Sequence, residues 1–459
     1  MERKFWVVLI VAFSILALST TASAVDVKFS GSYYAAGMYE DNHGLLENDQ
    51  QSTAFYFQRL RVQTVFEIDK GLTLTTRFDA LEKVWGDTNW NGTRSNVSGR
   101  PHTGGSSKTL EQENIEFENA YLTYQSPIGT FLVGYLPHDT QWGTIWGTSE
   151  RAESMIWWRY PIGKFSVGIK IIKGTEKSKT AFNDPSYEDA DKNVYSGTIR
   201  YKGDDFETGL KWTYLDKKDT KPAPTSFKVQ NHLVTPYFLW RAGNFKLETE
   251  LEYLFGDAQD FEDGRKDTDI KTLSWYVNAE MTEGPFYFGA TAAYSSGDDP
   301  DTSKVEGASV GMYSCWGGLD YDPALILWNE DRNVWIGPLQ GNGSAKTAVG
   351  SGVINAYLFL GYVGYHPTSD WDLKATLLYA TADEKPTLDG KPSSLSNPKF
   401  VDDEYGYEFD ITATYKITNN LSYMAGAGYL WTGDYFKGTD KHAEVDDDYM
   451  LTHKLTLTF

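Results

Sequence analysis

The tightest constraint on the fold is a rhythm in how the segments connect. Stretches of alternating apolar and polar residues run from near residue 26 to residue 459. They lie at 26–39, 54–68, 71–83, 115–126, 130–138, 154–161, 165–175, 192–202 and 205–216. They continue at 227–241, 245–256, 270–282, 286–296, 353–366, 371–381, 404–417, 421–432 and 447–459. Short and long connections alternate strictly between them. The short set includes Asp69-Lys70-Gly71, Pro127-Ile128-Gly129, Glu283-Gly284-Pro285 and Thr418-Asn419-Asn420, where Gly and Asn supply positive φ and Pro presets the corner. The long set includes 40–53, 84–114, 139–153, 257–269, 297–352 and 433–446. Every hairpin therefore has one trimmed end and one elaborated end.

A soluble sandwich has no need of that asymmetry, whereas a membrane-spanning barrel uses it, with an even strand count and both termini on the short-turn side. The faces agree. Phe245, Leu247, Thr249, Leu251, Tyr253 and Phe255 share one side of their segment, and Lys246, Glu248, Glu250 and Glu252 the other. Tyr405, Tyr407, Phe409, Ile411, Ala413, Tyr415 and Ile417 oppose Glu408, Asp410, Thr412, Thr414 and Lys416 in the same way. A closed barrel of about 18 strands is too wide for side chains to fill, so the polar face lines water and the apolar face meets lipid. The expected fold is all-β: a transmembrane antiparallel up-and-down β-barrel of about 18 strands, with about 16 as the alternative. Aromatics gather near strand ends, as at Tyr33, Tyr34 and Tyr39, Phe55 to Phe57, Trp157, Trp158 and Tyr160, and Tyr429 and Trp431. Such clusters suit girdles at two interfaces.

The ends and the composition fit export to an outer membrane. Arg3 and Lys4, the apolar run Phe5 to Leu18 and Thr21-Ala22-Ser23-Ala24 form a secretory signal peptide over 1–24, leaving 25–459 as the barrel. Past it, no stretch of about 18 apolar residues could span as a helix. Cys315 is the single cysteine, which excludes an intramolecular disulfide framework. A formal charge of −21 without a basic stripe argues against nucleic acid as a partner.

The polar register names the candidate lumen. Its basic members are Arg59, Arg61, Arg77, Arg159, Lys170, Arg200 and Lys211, followed by Lys246, Lys374, Lys416 and Lys454. Its acidic members are Asp79, Glu207, Glu248, Glu250, Glu252, Glu280, Asp372, Glu408 and Asp410. Strands two to eight are mainly basic, and strands eleven, twelve and sixteen mainly acidic. Because neighbours in a meander are neighbours on the wall, a cationic arc faces a distant anionic one. The counts nearly balance, so the wall predicts no strong ion selectivity. The same register sets His453 among the lipid-facing residues, which requires a satisfying neighbour or a bulge.

The stretch 117–145, FENAYLTYQSPIGTFLVGYLPHDTQWGTI, resembles the strand-turn-strand that precedes the constriction loop of Gram-negative porins. The final strand, with Leu455, Leu457 and Phe459, resembles the terminal strand by which that family is read by the barrel assembly machinery. The resemblance implies a water-filled channel for passive diffusion of small hydrophilic solutes and ions, in contact with outer-membrane lipid and lipopolysaccharide. It also implies an inward-folding loop carrying His138, Asp139, Trp142, Trp146 and Arg151, although the acidic, glycine-rich signature of that loop is missing here. The longer 297–352 connection, with Leu325-Ile326-Leu327-Trp328, is the alternative plug, because so apolar a run has little reason to sit in water. Many porins are trimers. Ala425 and Ala427, with Gly426 and Gly428 behind, form a candidate subunit contact.

Two other channel-class readings share the fold: a substrate-selective channel, and a sheath around a protein partner such as an electron carrier. An enzyme is disfavoured, since no G-x-S-x-G, H-E-x-x-H or C-x-x-C-H motif occurs. The acidic run Asp260 to Gly264 lacks the spacing of a calcium loop. No cofactor or metal is expected.

Overall fold

Alternating faces and β-branched or aromatic residues dictate extended backbone, and that is what the chain adopts. The computed structural model describes residues 25–48, 51–86, 115–137, 152–179, 181, 183–223, 226–307 and 321–459. The segment 1–24, expected to be a signal peptide, lies outside the described residues, as do the loop candidates His138, Asp139, Trp142, Trp146 and Arg151.

The strands are β1 (Asp26–Glu40), β2 (Thr53–Asp69), β3 (Leu72–Val84), β4 (Ile115–Ser126), β5 (Gly129–Pro137) and β6 (Ala152–Ile162). Next come β7 (Phe165–Thr175), β8 (Lys192–Lys202), β9 (Phe206–Lys217), β10 (Lys228–Ala242), β11 (Phe245–Asp260) and β12 (Thr268–Glu283). The last are β13 (Phe286–Ser295), β14 (Ala356–Tyr365), β15 (Trp371–Thr381), β16 (Glu404–Lys416), β17 (Leu421–Thr432) and β18 (Asp448–Thr458). Among the described residues, one short α-helix, α1 (Glu330–Trp335), is capped by Asn329, whose side chain accepts from the Arg332 N–H.

Each strand pairs antiparallel with its sequence neighbours in one 18-stranded sheet, and β1 pairs with β18 to close it. The closing seam runs from Ser32 opposite Thr458 to Glu40 opposite Met450. Phe459 continues it, donating its N–H to the Gly31 carbonyl at 3.0 Å and accepting from the Gly31 N–H at 2.9 Å. No strand edge is left at the seam, which removes the unpaired backbone groups a membrane would penalise.

The apolar face is the exposed one, with Phe29 at 66%. Aromatics on it meet in directly opposed pairs at two levels. Near the tight turns, Trp371 packs on Tyr415 at 4.7 Å and Phe165 on Tyr201 at 5.0 Å. Near the long loops, Tyr379 packs on Tyr407 at 4.7 Å and Tyr294 on Tyr357 at 4.6 Å. Not every aromatic near a strand end joins these belts. Tyr34 and Phe57 turn inward and are buried, as their register requires.

Two positions test the face assignment. Tyr405, expected to face outward with Tyr407, is only 2% exposed while Tyr407 is 45% exposed. The register between β15 and β16 shifts beside Gly406, whose φ is +123°. The bulge turns Tyr405 into the barrel. His453, by contrast, needs no bulge, since β18 stays in register with both neighbours there. Its ring sits between Tyr56 at 5.6 Å and Tyr423 at 5.8 Å. Gly37 stands opposite it, and a Cβ there would lie 2.4 Å from the imidazole Nε2. The missing side chain is what admits the histidine.

Candidate functional site

The interior is identified by what reaches across it. Residues 321–335 belong to the long connection between β13 and β14 and touch both ends of an arc that runs from β12 through β18 to β2. Tyr321 lies 6.2 Å from Tyr276 of β12, and Trp335 lies 5.2 Å from Phe57 of β2. Between them, backbone groups meet β16, Asp331 meets Lys454 of β18 at 2.9 Å, and Arg332 meets Glu40 of β1. So short a segment can bridge those strands only from the concave side. Residues 321–335 therefore fold into the barrel, and the charged register faces them.

Its apolar run supplies the reason. Ile326, Leu327 and Trp328 are fully buried, and each such side chain is worth roughly 1.5–3 kcal/mol when removed from water. Their backbone N–H groups need acceptors in that position. Glu408 and Asp410 provide them: the Leu325 N–H donates to Asp410 at 3.1 Å, and the Ile326 and Leu327 N–H groups donate to the two Glu408 oxygens at 2.6 and 2.8 Å. Gly426 and Gly428 of β17 make room, since a Cβ on either would lie 3.2 Å from a Leu325 side-chain carbon. The glycines behind Ala425 and Ala427 thus form a cradle for the inserted segment.

A second anchor lies at the rim. The Arg332 guanidinium donates twice to one Glu40 oxygen, at 2.6 and 2.9 Å, and once to the Gly337 carbonyl at 2.6 Å. Both charged side chains are buried. Glu40 ends β1 and Asp448 begins β18, so the anchor ties the segment to the closing seam.

The opposite arc, β3 to β9, carries the basic register. Arg77, Lys170 and Lys211 are buried and Arg159 and Arg200 partly so. Trp157 lies between two cations, with Arg159 4.6 Å and Lys170 4.4 Å from its ring centroid. Arg77 stands 3.7 Å from Glu118 and Arg200 3.5 Å from Glu207. Among the described residues of the arc, Arg77, Arg159, Lys170, Arg200 and Lys211 share the inner face with the carboxylates Asp79, Glu116, Glu153 and Glu207, and Glu118 stands beside Arg77.

The other candidates fall into separate groups. Arg61 grips Asp79 with two hydrogen bonds, at 2.8 and 2.9 Å, and Arg59 stands 4.0 Å from the same carboxylate. Glu248 is bonded by Lys246 at 2.6 Å and by Tyr276 at 3.3 Å. Glu250 and Glu252 are buried beside it on β11. Glu280 accepts from the Tyr362 hydroxyl at 2.7 Å, and Lys374 lies 4.6 Å from that ring. Glu408 and Asp410 face inward but meet the inserted segment rather than open water. Leu457 and Phe459 are exposed on the outer face, with Leu455 half-buried beside them. Sequence reasoning missed Arg332 and Glu40 as partners. The only signal was an arginine four residues past the apolar run 325–328, which says nothing of where its counter-ion lies.

No protein-family model matches the chain, and no curated protein is similar to it in sequence. Among solved structures, it is similar to OccAB1 of Acinetobacter baumannii at 10% identity, with a TM-score of 0.56 over 95% of this chain and 96% of that one. It is also similar to OccK1 (OpdK) of Pseudomonas aeruginosa at 9% identity, with a TM-score of 0.50 over 95% and 99% of the two chains. Identities so low establish a shared fold: the chain is built as the closed, 18-stranded barrel of outer-membrane porins.

Proposed function

We propose that the chain is a multi-pass outer-membrane channel through which small hydrophilic solutes diffuse, with anions favoured over cations. One observation carries the preference. The inserted segment covers the half of the wall that holds Glu408 and Asp410 and spends their charge on its own backbone. Of the wall left across from it, β3 to β9 holds more basic than acidic side chains, with Arg159 and Arg200 only partly buried. Near-balance in the wall's composition therefore does not mean balance in what a solute meets, because fixed charges act on ions that can approach them. The apolar, aromatic-belted outer face supports residence in a bilayer. The shared fold supports a channel and lends no support to an enzyme.

Trp157 between Arg159 and Lys170 favours a narrower reading within this one, a channel selective for organic anions. It offers a ring face and two positive charges in one place. Contacts with lipopolysaccharide and the assembly machinery, the latter through Leu455, Leu457 and Phe459, belong to the same proposal, as does a homotrimer.

Purified protein in a planar bilayer under a salt gradient tests it. Stepwise open-channel currents with a reversal potential on the anion side are expected. A folded sample that carries no current overturns the channel, and a reversal potential on the cation side overturns the anion preference.

A further inference from the structure

The last residue of β1, Glu40, and the first of β18, Asp448, meet at the loop-side end of the closing seam. They are 0% and 1% exposed, and their carboxyls lie within hydrogen-bonding reach of one another. One oxygen of each is supplied with donors. Glu40 Oε1 takes both Arg332 N–H groups, and Asp448 Oδ1 accepts from the Asn42 N–H at 2.9 Å. The other oxygen of each, Glu40 Oε2 and Asp448 Oδ2, is buried and has no donor.

The charges around this knot do not balance. One guanidinium serves two carboxyls, and among the described residues no lysine or second arginine forms an ion pair with either. The surrounding groups are engaged elsewhere. Asp331 of α1 is held by Lys454 at 2.9 Å, while Asp41 and Asp447 accept from the Tyr39 and Tyr429 hydroxyls, both at 2.9 Å. His43 turns its carbonyl toward Arg332 at 3.5 Å, and its own Nδ1 is buried without a partner. Two carboxylates in contact away from water repel each other. A proton placed between them replaces the repulsion with a hydrogen bond, as in paired-carboxyl sites generally. It also gives both orphan oxygens a partner at once.

We propose that Glu40 and Asp448 share one proton, and that this proton helps to hold the inserted segment in the barrel. When the segment undocks, Arg332 leaves and water reaches the pair. Carboxylic acids in water have given up their protons above about pH 5, so docking takes up one proton. Docking is then strongest at acid pH. It weakens as the pH rises, by about tenfold per pH unit, until the pair ionises in place. The pair acts on the position of the segment, whether or not the barrel conducts.

Hydrogen exchange on the detergent-solubilised full chain tests this, read as protection factors so that the intrinsic pH dependence of exchange drops out. Protection of residues 325–337 is expected to fall about tenfold per unit as the pH is raised from about 5.5, while the strands β7 to β9 keep theirs. Asp448→Asn puts an amide N–H where the shared proton stood, so its slope should be shallower by about one log unit per pH unit. Glu40→Gln leaves a single carboxyl beside Arg332 and should flatten the slope equally. Whatever Glu408 and Asp410 contribute is common to all three proteins and cancels in the difference. Far-UV circular dichroism confirms the barrel in each variant. Infrared spectra give a direct reading, since a protonated-carboxyl band of the parent protein at neutral pH should be missing from both variants. Protection that is flat or rises with pH in the parent protein overturns the proposal. A slope that either variant retains overturns it too, as does an infrared spectrum that neither substitution changes in this band.

Discussion

Arg332 and Glu40 are 292 residues apart in sequence, yet the guanidinium places two of its N–H groups on a single carboxylate oxygen, at 2.6 and 2.9 Å. Neither side chain touches water appreciably, at 1% and 0% exposure. Removing one partner leaves the other as a buried, uncompensated charge, which costs about 3–5 kcal/mol. Arg332→Ala should therefore loosen the inserted segment while leaving the wall in place. Hydrogen exchange is expected to quicken in residues 325–337 and to stay slow in the strands. Replacing both partners with apolar residues, Arg332→Met with Glu40→Leu, should restore much of the protection.

Glu408 and Asp410 hold the segment through three backbone N–H groups. Glu408→Gln keeps the shape but gives up one acceptor oxygen and turns an NH2 donor toward the Ile326 and Leu327 amides. A lost buried acceptor costs about 1–3 kcal/mol. The expected outcome in a planar bilayer is added open-channel noise and a raised mean conductance, as the segment samples positions away from the wall.

Leu325 packs against Gly426 and Gly428, so a larger side chain on β17 displaces it. Gly428→Val should destabilise the docked segment by roughly 1–3 kcal/mol, the usual cost of overpacking. Limited proteolysis reads this as a new cleavage within 321–337, with the β-sheet signal unchanged. The same substitution at Ala427, on the outer face of β17, should leave the cleavage pattern of the parent protein.

The basic arc is expected to set the sign of the current. Lys170→Gln or Arg159→Gln should each shift the reversal potential toward the cation side. The loss of one charge is worth on the order of 1 kcal/mol at contact distance in water, about fivefold in local anion occupancy. Trp157→Leu should leave the selectivity for chloride nearly unchanged and weaken any block by an aromatic carboxylate.

Outside the membrane-spanning strands, Asp191 organises the loop between β7 and β8. Burial opposes its charge, but it accepts from Lys173 at 2.6 Å and from the Ser178 and Lys177 N–H groups at 3.1 and 3.0 Å, and these hold its carboxyl below the ordinary value of 3.8. A depressed folded-state value stabilises the loop at pH above the ordinary one and is lost as the carboxyl protonates on further acidification. Exchange protection of residues 176–179 should be flat from pH 7 to about 5 and collapse below about 3. Asp191→Asn should show the acid behaviour at every pH.

The strands were legible because lipid on one side and water on the other write a period of two into them, and the seam was legible because it obeys the same period. His453 shows how far that reasoning reaches: its face followed from the register, while its tolerance depends on Gly37, a residue far away in sequence. Tyr405 shows where it fails. A bulge at Gly406 reverses a face without leaving a mark on the alternation. The interior was the least legible part. Periodicity says that Glu408 points inward, and cannot say that a segment from another connection will be waiting there. The apolar run 325–328 marked its own connection as out of place in water, but its docking partners lay on β16, β17 and β1. Only the folded arrangement brings those strands to one side.

The docked connection also separates two properties that are usually tuned together. Bore and polarity both belong to the wall in a plain cylinder, so changing either means rebuilding strands that must still meet lipid. Here the wall keeps both signs, and on the proposed reading a loop decides which one a solute meets. A shorter connection in place of 321–355 would leave every strand untouched, widen the passage and bare the carboxylates of β16. On the proposed reading, the same scaffold would then show both signs and lose its preference for either.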